Sequence, residues 1–175
     1  MNWIDNFLNR LSMYALISYL LHTLIAVSVI LALFGFLPYT WWHILITLII
    51  LLVSCYVSNQ AIAAIFRIKP NVESQIVTAE ILTLICGPGD PLHSWTFLVA
   101  IGVFAMASKY ILVVNKRHLF NPAAIGSVAT ALLLNNSASW WVGNMYMFPI
   151  VLVGGLLLIR KLKWFHLFLS FLITY

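Results

Sequence analysis

Residues 12–37 contain no Asp, Glu, Lys or Arg, and further apolar runs follow them to the end of the chain. At 1.5 Å per residue a helix of that length crosses a ~30 Å hydrocarbon core with some tilt. It cannot be a surface helix of a water-soluble fold, because such a helix needs a broad polar face. Composition extends the conclusion to the whole chain, which is 63% hydrophobic and 7% charged, with a mean hydropathy of +1.04. Soluble chains carry about 25% charged residues, so this one lacks the polar surface to face water. The expected fold class is all-α: a polytopic helical membrane protein forming one transmembrane domain over residues 1–175.

The run after Arg10 is too long for a signal-peptide core and has no small-residue cleavage site, so the first span is expected to be retained. After Pro38-Tyr39-Thr40-Trp41-Trp42, whose aromatics suit a membrane interface, a second run covers 44–66 and ends at Arg67-Ile68-Lys69-Pro70. The third, 75–86, holds Thr78, Glu80 and Thr83 before the breaker Gly87-Pro88-Gly89-Asp90-Pro91, and is read as a half-span. A full-length run over 95–114 leads to Asn115-Lys116-Arg117-His118. The fifth, 119–134, is short and opens with Asn121-Pro122, a capping residue followed by proline at the first helical position. A sixth, 141–159, contains Pro149 and Gly154-Gly155 and ends at Arg160-Lys161-Leu162-Lys163. The seventh, 164–175, is too short to cross a bilayer, so the chain is expected to break off mid-helix.

Nine Lys and Arg stand against four Asp and Glu, and the basic residues fall where topology signals fall, so no nucleic-acid surface is implied. With Arg10 cytoplasmic and each of the first six segments crossing, Arg67, Lys69, Lys116, Arg117, Arg160, Lys161 and Lys163 share one face, while loops 37–41, 87–93 and 135–140 carry no Lys or Arg. Lys109 is within snorkelling reach of the same face. The expected location is the cell's inner (plasma) membrane, multi-pass, with the N-terminus cytoplasmic and lipid as the main surroundings. Cys55 and Cys86 lack metal or disulfide spacing and read as buried structural thiols. No metal site and no catalytic residue are expected.

Two short segments flanking a full span point to a site, because interrupted helices leave backbone groups that must line a cavity or meet a ligand. Helix starts near Ser74 and Asn121 would present free N–H groups to an acceptor. The bland alternative is a kinked bundle with no ligand. Glu80 is the one carboxylate inside an apolar run, where an ionisable group is costly and faces the bundle interior. It is read as an ion relay, with a structural pairing to His93 or a hydroxyl, or a protonated carboxyl, as alternatives. His22 and His43 read as interfacial or hydrogen-bonded within the bundle, whereas His118 stands three residues before Asn121 at the opening of a short helix.

The stretch Lys116-Arg117-His118-Leu119-Phe120-Asn121-Pro122-Ala123-Ala124-Ile125-Gly126 resembles the Phe-Asn-Pro-Ala motif of an integral-membrane family, one that supplies a multi-pass component to the sodium-pumping NADH:quinone reductase and another to the Rnf electron-transport complex. Residues 73–85 are similar to that family's first short helix, 101–109 to the span leading into the motif, and Gly154-Gly155-Leu156 with 163–172 to the spans that open its second half. The resemblance implies two inverted five-helix repeats, with 1–134 as the first repeat and 141–175 as the start of the second. It also implies a non-covalent flavin, riboflavin or FMN, beside the interrupted helices, within a complex whose other subunits pass electrons coupled to cation movement. By position the flavin-site residues are His118, Phe120, Asn121, Pro122 and Ala123, faced by Thr78, Leu82 and Thr83. Isoalloxazine needs apolar faces and a few amide or hydroxyl partners, which this set supplies.

The chain departs from the family at the loop that usually carries a threonine esterified to FMN, here shortened to Asn135-Asn136-Ser137-Ala138-Ser139-Trp140. Ser127-Val128-Ala129-Thr130 has a similar pattern but lies inside the fifth segment, so no covalent FMN is expected on this chain. The leading expectation is a membrane oxidoreductase subunit of translocase type. The alternatives are a transporter or channel for a small solute built on the same architecture, and a purely structural membrane partner.

Overall fold

The computed structural model describes residues 2–174 apart from 115, 116, 137 and 139. The chain is a helical membrane protein. Its helices are α1 (Asn2–Arg10), α2 (Met13–Leu33), α3 (Trp41–Phe66), α4 (Val72–Ile85), α5 (Pro91–Ile111), α6 (Pro122–Leu134), α7 (Phe148–Leu162) and α8 (Phe165–Thr174). Two two-residue strands, β1 (Val113–Val114) and β2 (Arg117–His118), pair antiparallel between α5 and α6. Helices α2, α3 and α5 contain stretches long and apolar enough to cross a membrane. Helices α4 and α6, at 14 and 13 residues, reach only about 20 Å each by helical rise.

Local chemistry sets these boundaries. Ser12 Oγ accepts from Ala15 N at 3.1 Å, Asn71 Oδ1 from Ser74 N at 3.0 Å and Asn121 Oδ1 from Ala123 N at 3.0 Å, so α2, α4 and α6 start on side-chain caps. Helix α3 ends where Arg67 turns left-handed (φ 53°), with Ile68 N donating to Ala63 O, and α7 ends the same way at Lys163 (φ 58°) with Trp164 N donating to Ile159 O. That geometry satisfies the last carbonyls and places a cation on the negative helix end. Helix α2 stops beside Gly35 (φ 74°), where left-handed backbone costs glycine little.

Two apolar clusters share α4. One joins it to α3, α5 and α6 through Leu51, Cys55, Ala79, Leu82, Ile101, Ala105, Met106 and Ala123. The other joins it to α2, the start of α3 and the segment before α7 through Leu21, Leu24, Ile25, Ile44, Leu84, Trp141, Val142 and Met147. Helix α6 packs tightly on α5: a Cβ added at Gly126 would lie 2.8 Å from Ile101 O. Small residues at membrane-helix contacts allow such approach. Helices α7 and α8 pack loosely. Gly154 is the one buried residue of α7 among those described, and α8 has none.

The sixth segment differs from its expected span. Its helix begins at Phe148 with Pro149 in the first turn, and 141–147 folds inward instead of continuing α7. Pro149 is the physical reason, since it suits a helix start and breaks a helix interior. Trp141 donates its indole N–H to Thr83 O at 2.9 Å and meets the Tyr39 ring edge-on. Residues Asn2–Arg10 are helical, which the sequence did not foretell, and Asp5 holds Arg160 by two bonds of 2.8 and 2.9 Å. That guanidinium keeps the Asp5 carboxyl below the usual carboxylate range. Of the loops read from sequence, Asn115, Lys116, Ser137 and Ser139 lie outside the described residues.

Candidate functional site

Seven of the fourteen residues of α4 are buried, and four of them carry polar side chains: Gln75, Thr78, Glu80 and Thr83. Burial of that kind is sustainable only where each polar atom finds a partner. Most do. Asn59 Nδ2 donates to Gln75 Oε1 at 2.7 Å, and Tyr110 OH donates to Asn59 Oδ1 at 2.6 Å, joining α3, α4 and α5. Lys109 Nζ donates to Ser74 O at 2.7 Å and Ser74 Oγ at 2.9 Å, tying the end of α5 to the start of α4. Tyr14, Lys69, Asn71, Ser74, Lys109 and Tyr110 line one small cavity of about 300 Å³, so the start of α2, the end of α3, the start of α4 and the end of α5 lie on a common face.

Glu80 is the exception. It is 3% exposed; its Oε1 lies 3.1 Å from His22 Nε2, and its Oε2 is buried with no hydrogen-bond partner. The pairing with His93 considered from sequence does not form, because His93 sits at the start of α5 against Asp90. The partner is His22, which is engaged within the bundle as one reading of it allowed. By helical rise, His22 lies about 13 Å beyond Met13 and Glu80 about 12 Å beyond Val72. The two therefore meet at similar heights above the starts of α2 and α4. His22 Nδ1 is 2.6 Å from Ser18 O, and a carbonyl only accepts, so Nδ1 carries the hydrogen.

The two ends of this pair have different surroundings. The His22 side chain is 61% exposed against 4% for Glu80. His22 lines a groove of about 270 Å³ between α2 and α4 that also includes Ser12, Ala15, Ser18, Glu73 and Val77. The groove runs from the capped start of α2 up to the imidazole.

The flavin-site residues expected from sequence fall into two environments. Thr78, Leu82 and Thr83 are sealed inside the protein, with the Thr78 and Thr83 hydroxyls donating to Ser74 O and Ala79 O one turn back. Ala123 is buried in the same apolar cluster as Leu82, where α4 and α6 pack together. Phe120 and Asn121 are exposed, Asn121 is the cap of α6, and Pro122 occupies its first turn. The backbone of His118 pairs with Val113, and its side chain lies outside the described residues. Of this set Phe120 and Asn121 therefore face outward, while Thr78, Leu82 and Thr83 are enclosed.

Sequence reasoning singled out Glu80 but missed its connection to His22, and it missed Asn59, Gln75 and Trp141. A signal for the first was present: a lone histidine and a lone carboxylate in two apolar runs, each about the same distance from a helix start on one face. No family model, no curated protein and no solved structure matches this chain.

Proposed function

We propose that this chain is an integral-membrane subunit of an ion-translocating electron-transfer complex, and that Glu80 holds the cation during transfer. The observation that carries the reading is a buried carboxylate, satisfied on one oxygen by an exposed imidazole and unpartnered on the other. Such a group costs stability at membrane depth and is kept where ions pass. The electron-transfer half rests on the Phe-Asn-Pro-Ala resemblance and the inverted-repeat architecture it implies. A non-covalent riboflavin or FMN would supply the redox chemistry, while Phe120 and Asn121 hold its face and edge and set its polarity. The common face that gathers Lys69 and Lys109 supports a cytoplasmic placement of the helix ends marked by basic residues, in a plasma membrane with the N-terminus inside.

The test is the visible spectrum of the purified chain before and after acid precipitation, joined to two substitutions. A flavin band that passes into the supernatant, and is lost in Asn121→Ala, is the expected result. Glu80→Gln should abolish cation-coupled turnover of the assembled complex without displacing flavin. A colourless, folded preparation that still passes cations through Glu80 would instead favour a transporter or channel, a reading to which the open α2/α4 groove also lends itself.

A further inference from the structure

We propose that the ion held at Glu80 is a proton, and that it arrives along the α2/α4 groove and is handed to the carboxylate by His22. The inference rests on the reading of Glu80 as an ion-holding group and adds the identity of the ion, its side of access and its carrier.

The tautomer fixes which nitrogen takes part. With Nδ1–H held by Ser18 O, the nitrogen that gains and loses a proton is Nε2, and Nε2 faces Glu80 Oε1. In the step itself the Nε2–H bond of the imidazolium breaks, its electron pair stays on nitrogen, and an O–H bond forms at Oε1. Imidazolium plus carboxylate become imidazole plus carboxylic acid, and nothing is oxidised or reduced. Either state keeps a hydrogen bond between the same two atoms, so the proton moves between them without the pair coming apart. The imidazole is recharged at Nε2 by groove water after swinging off Oε1, a movement that its exposure leaves room for.

Sodium suits the site less well. A hard cation takes several oxygen ligands, whereas the near neighbour of this carboxylate is an imidazole nitrogen, a ligand for softer metals. Access is one-sided: His22 lines the groove and Glu80 does not, so the imidazole stands between them. Ser12, Ser18 and Glu73 give the groove polar groups that can hold water in file. Ionisable groups on the helices packed against α4 are otherwise engaged or distant. Cys55 of α3 lies in the apolar cluster, while Lys109 and Tyr110 of α5 bond to Ser74 and Asn59. On α2, Tyr14 and Tyr19 line the groove below His22. Oε2, buried and unpartnered, is left as the acceptor for the onward step.

The experiment follows the infrared carboxyl band of Glu80 in the full chain in lipid nanodiscs, assigned by its loss in Glu80→Gln, after rapid mixing with heavy water. The wild-type carboxyl should exchange within the mixing time, and His22→Phe should slow exchange roughly tenfold or more, as loss of a positioned proton carrier does. His22→Gln, which keeps a hydrogen-bonding side chain but carries no proton charge, should slow it equally and guards against a misfolded Phe variant. Ala15→Trp, which narrows the groove below His22, should slow it with His22 intact. Exchange at the wild-type rate in both His22 variants would overturn the route. Displacement of the band by sodium at fixed pH, in wild type and His22→Gln alike, would overturn the proton. A carboxyl band that neither titrates nor exchanges in any variant would remove the reading of Glu80 itself, an outcome distinct from failure of the route.

Discussion

Glu80→Met replaces a carboxyl that is 3% exposed with a flexible side chain that has no polar atom in need of a partner. Two changes follow. The substitution removes a buried acceptor with no partner, Oε2, whose burial costs about 1–3 kcal/mol and more when charged. It also removes the pairing with His22, and polar contacts between helices in membranes average about 0.6 kcal/mol. Once freed, His22 still bonds Ser18 O and faces the groove. The net expectation is a stabilisation of about 1–2 kcal/mol, or a rise in unfolding midpoint of roughly 2–8 °C for a domain of this size. Reversible unfolding in mixed micelles, with helicity as the signal, would measure it. The same variant should lose cation-coupled turnover, the usual cost of repairing a site that strains its fold. A fall in the midpoint of comparable size would refute the reasoning, because it would mean that both carboxylate oxygens are satisfied and the pair is structural.

Asn59→Leu and Gln75→Leu should each destabilise, and the double variant should cost less than their sum by about 0.6–1.7 kcal/mol, the range for interhelical bonds in membranes; additive costs would show the bond is not formed. Gly126→Val should cost about 1–3 kcal/mol by forcing α6 off Ile101 O, while Gly155→Ala, with nothing within 4 Å of an added Cβ, should leave the midpoint unchanged or slightly raised. Asp5→Asn should raise hydrogen exchange across α1 and leave α3–α5 unaffected. Because Arg160 lowers the Asp5 pKa, the tether is present above the usual carboxylate range. It is lost only as pH falls through that lowered value, so wild-type exchange in α1 should approach that of Asp5→Asn only in strong acid.

The apolar runs placed the helices from α2 to α8, the start of α7 excepted, to within a few residues, because span length and charge absence are properties of the chain alone. Asn121-Pro122 announced the start of α6 for the same reason: a cap and a fixed φ act on their own residues. The start of α7 was misplaced because Pro149 was read as lying inside an apolar run, whereas it marks the first helical turn. What distinguishes residues 141–147 is burial against α4 and the Trp141 bond to Thr83, made across 58 residues. The His22–Glu80 contact is also long-range, and periodicity carries no information about which helix faces which. The residues around Asn121 were assigned by resemblance, and their split into a sealed α4 set and an exposed Phe120–Asn121 pair is a property of packing that no local pattern encodes.

The way α4 is held bears on how the protein is made. At 14 residues with Glu80 and three other polar side chains buried, it is a poor candidate for leaving the insertion machinery into lipid alone. Glu80 Oε1, Gln75 and Ser74 are met by α2, α3 and α5 respectively, of which the first two precede α4 on the ribosome and the third follows. Helix α4 must therefore dwell beside α3, latched through Asn59 and Gln75, until α5 emerges and Lys109 closes over Ser74. Synthesis order thus becomes part of the fold, and a ribosome pause placed after α5 would be tolerated where one placed before it would leave an uncovered helix for quality control to find.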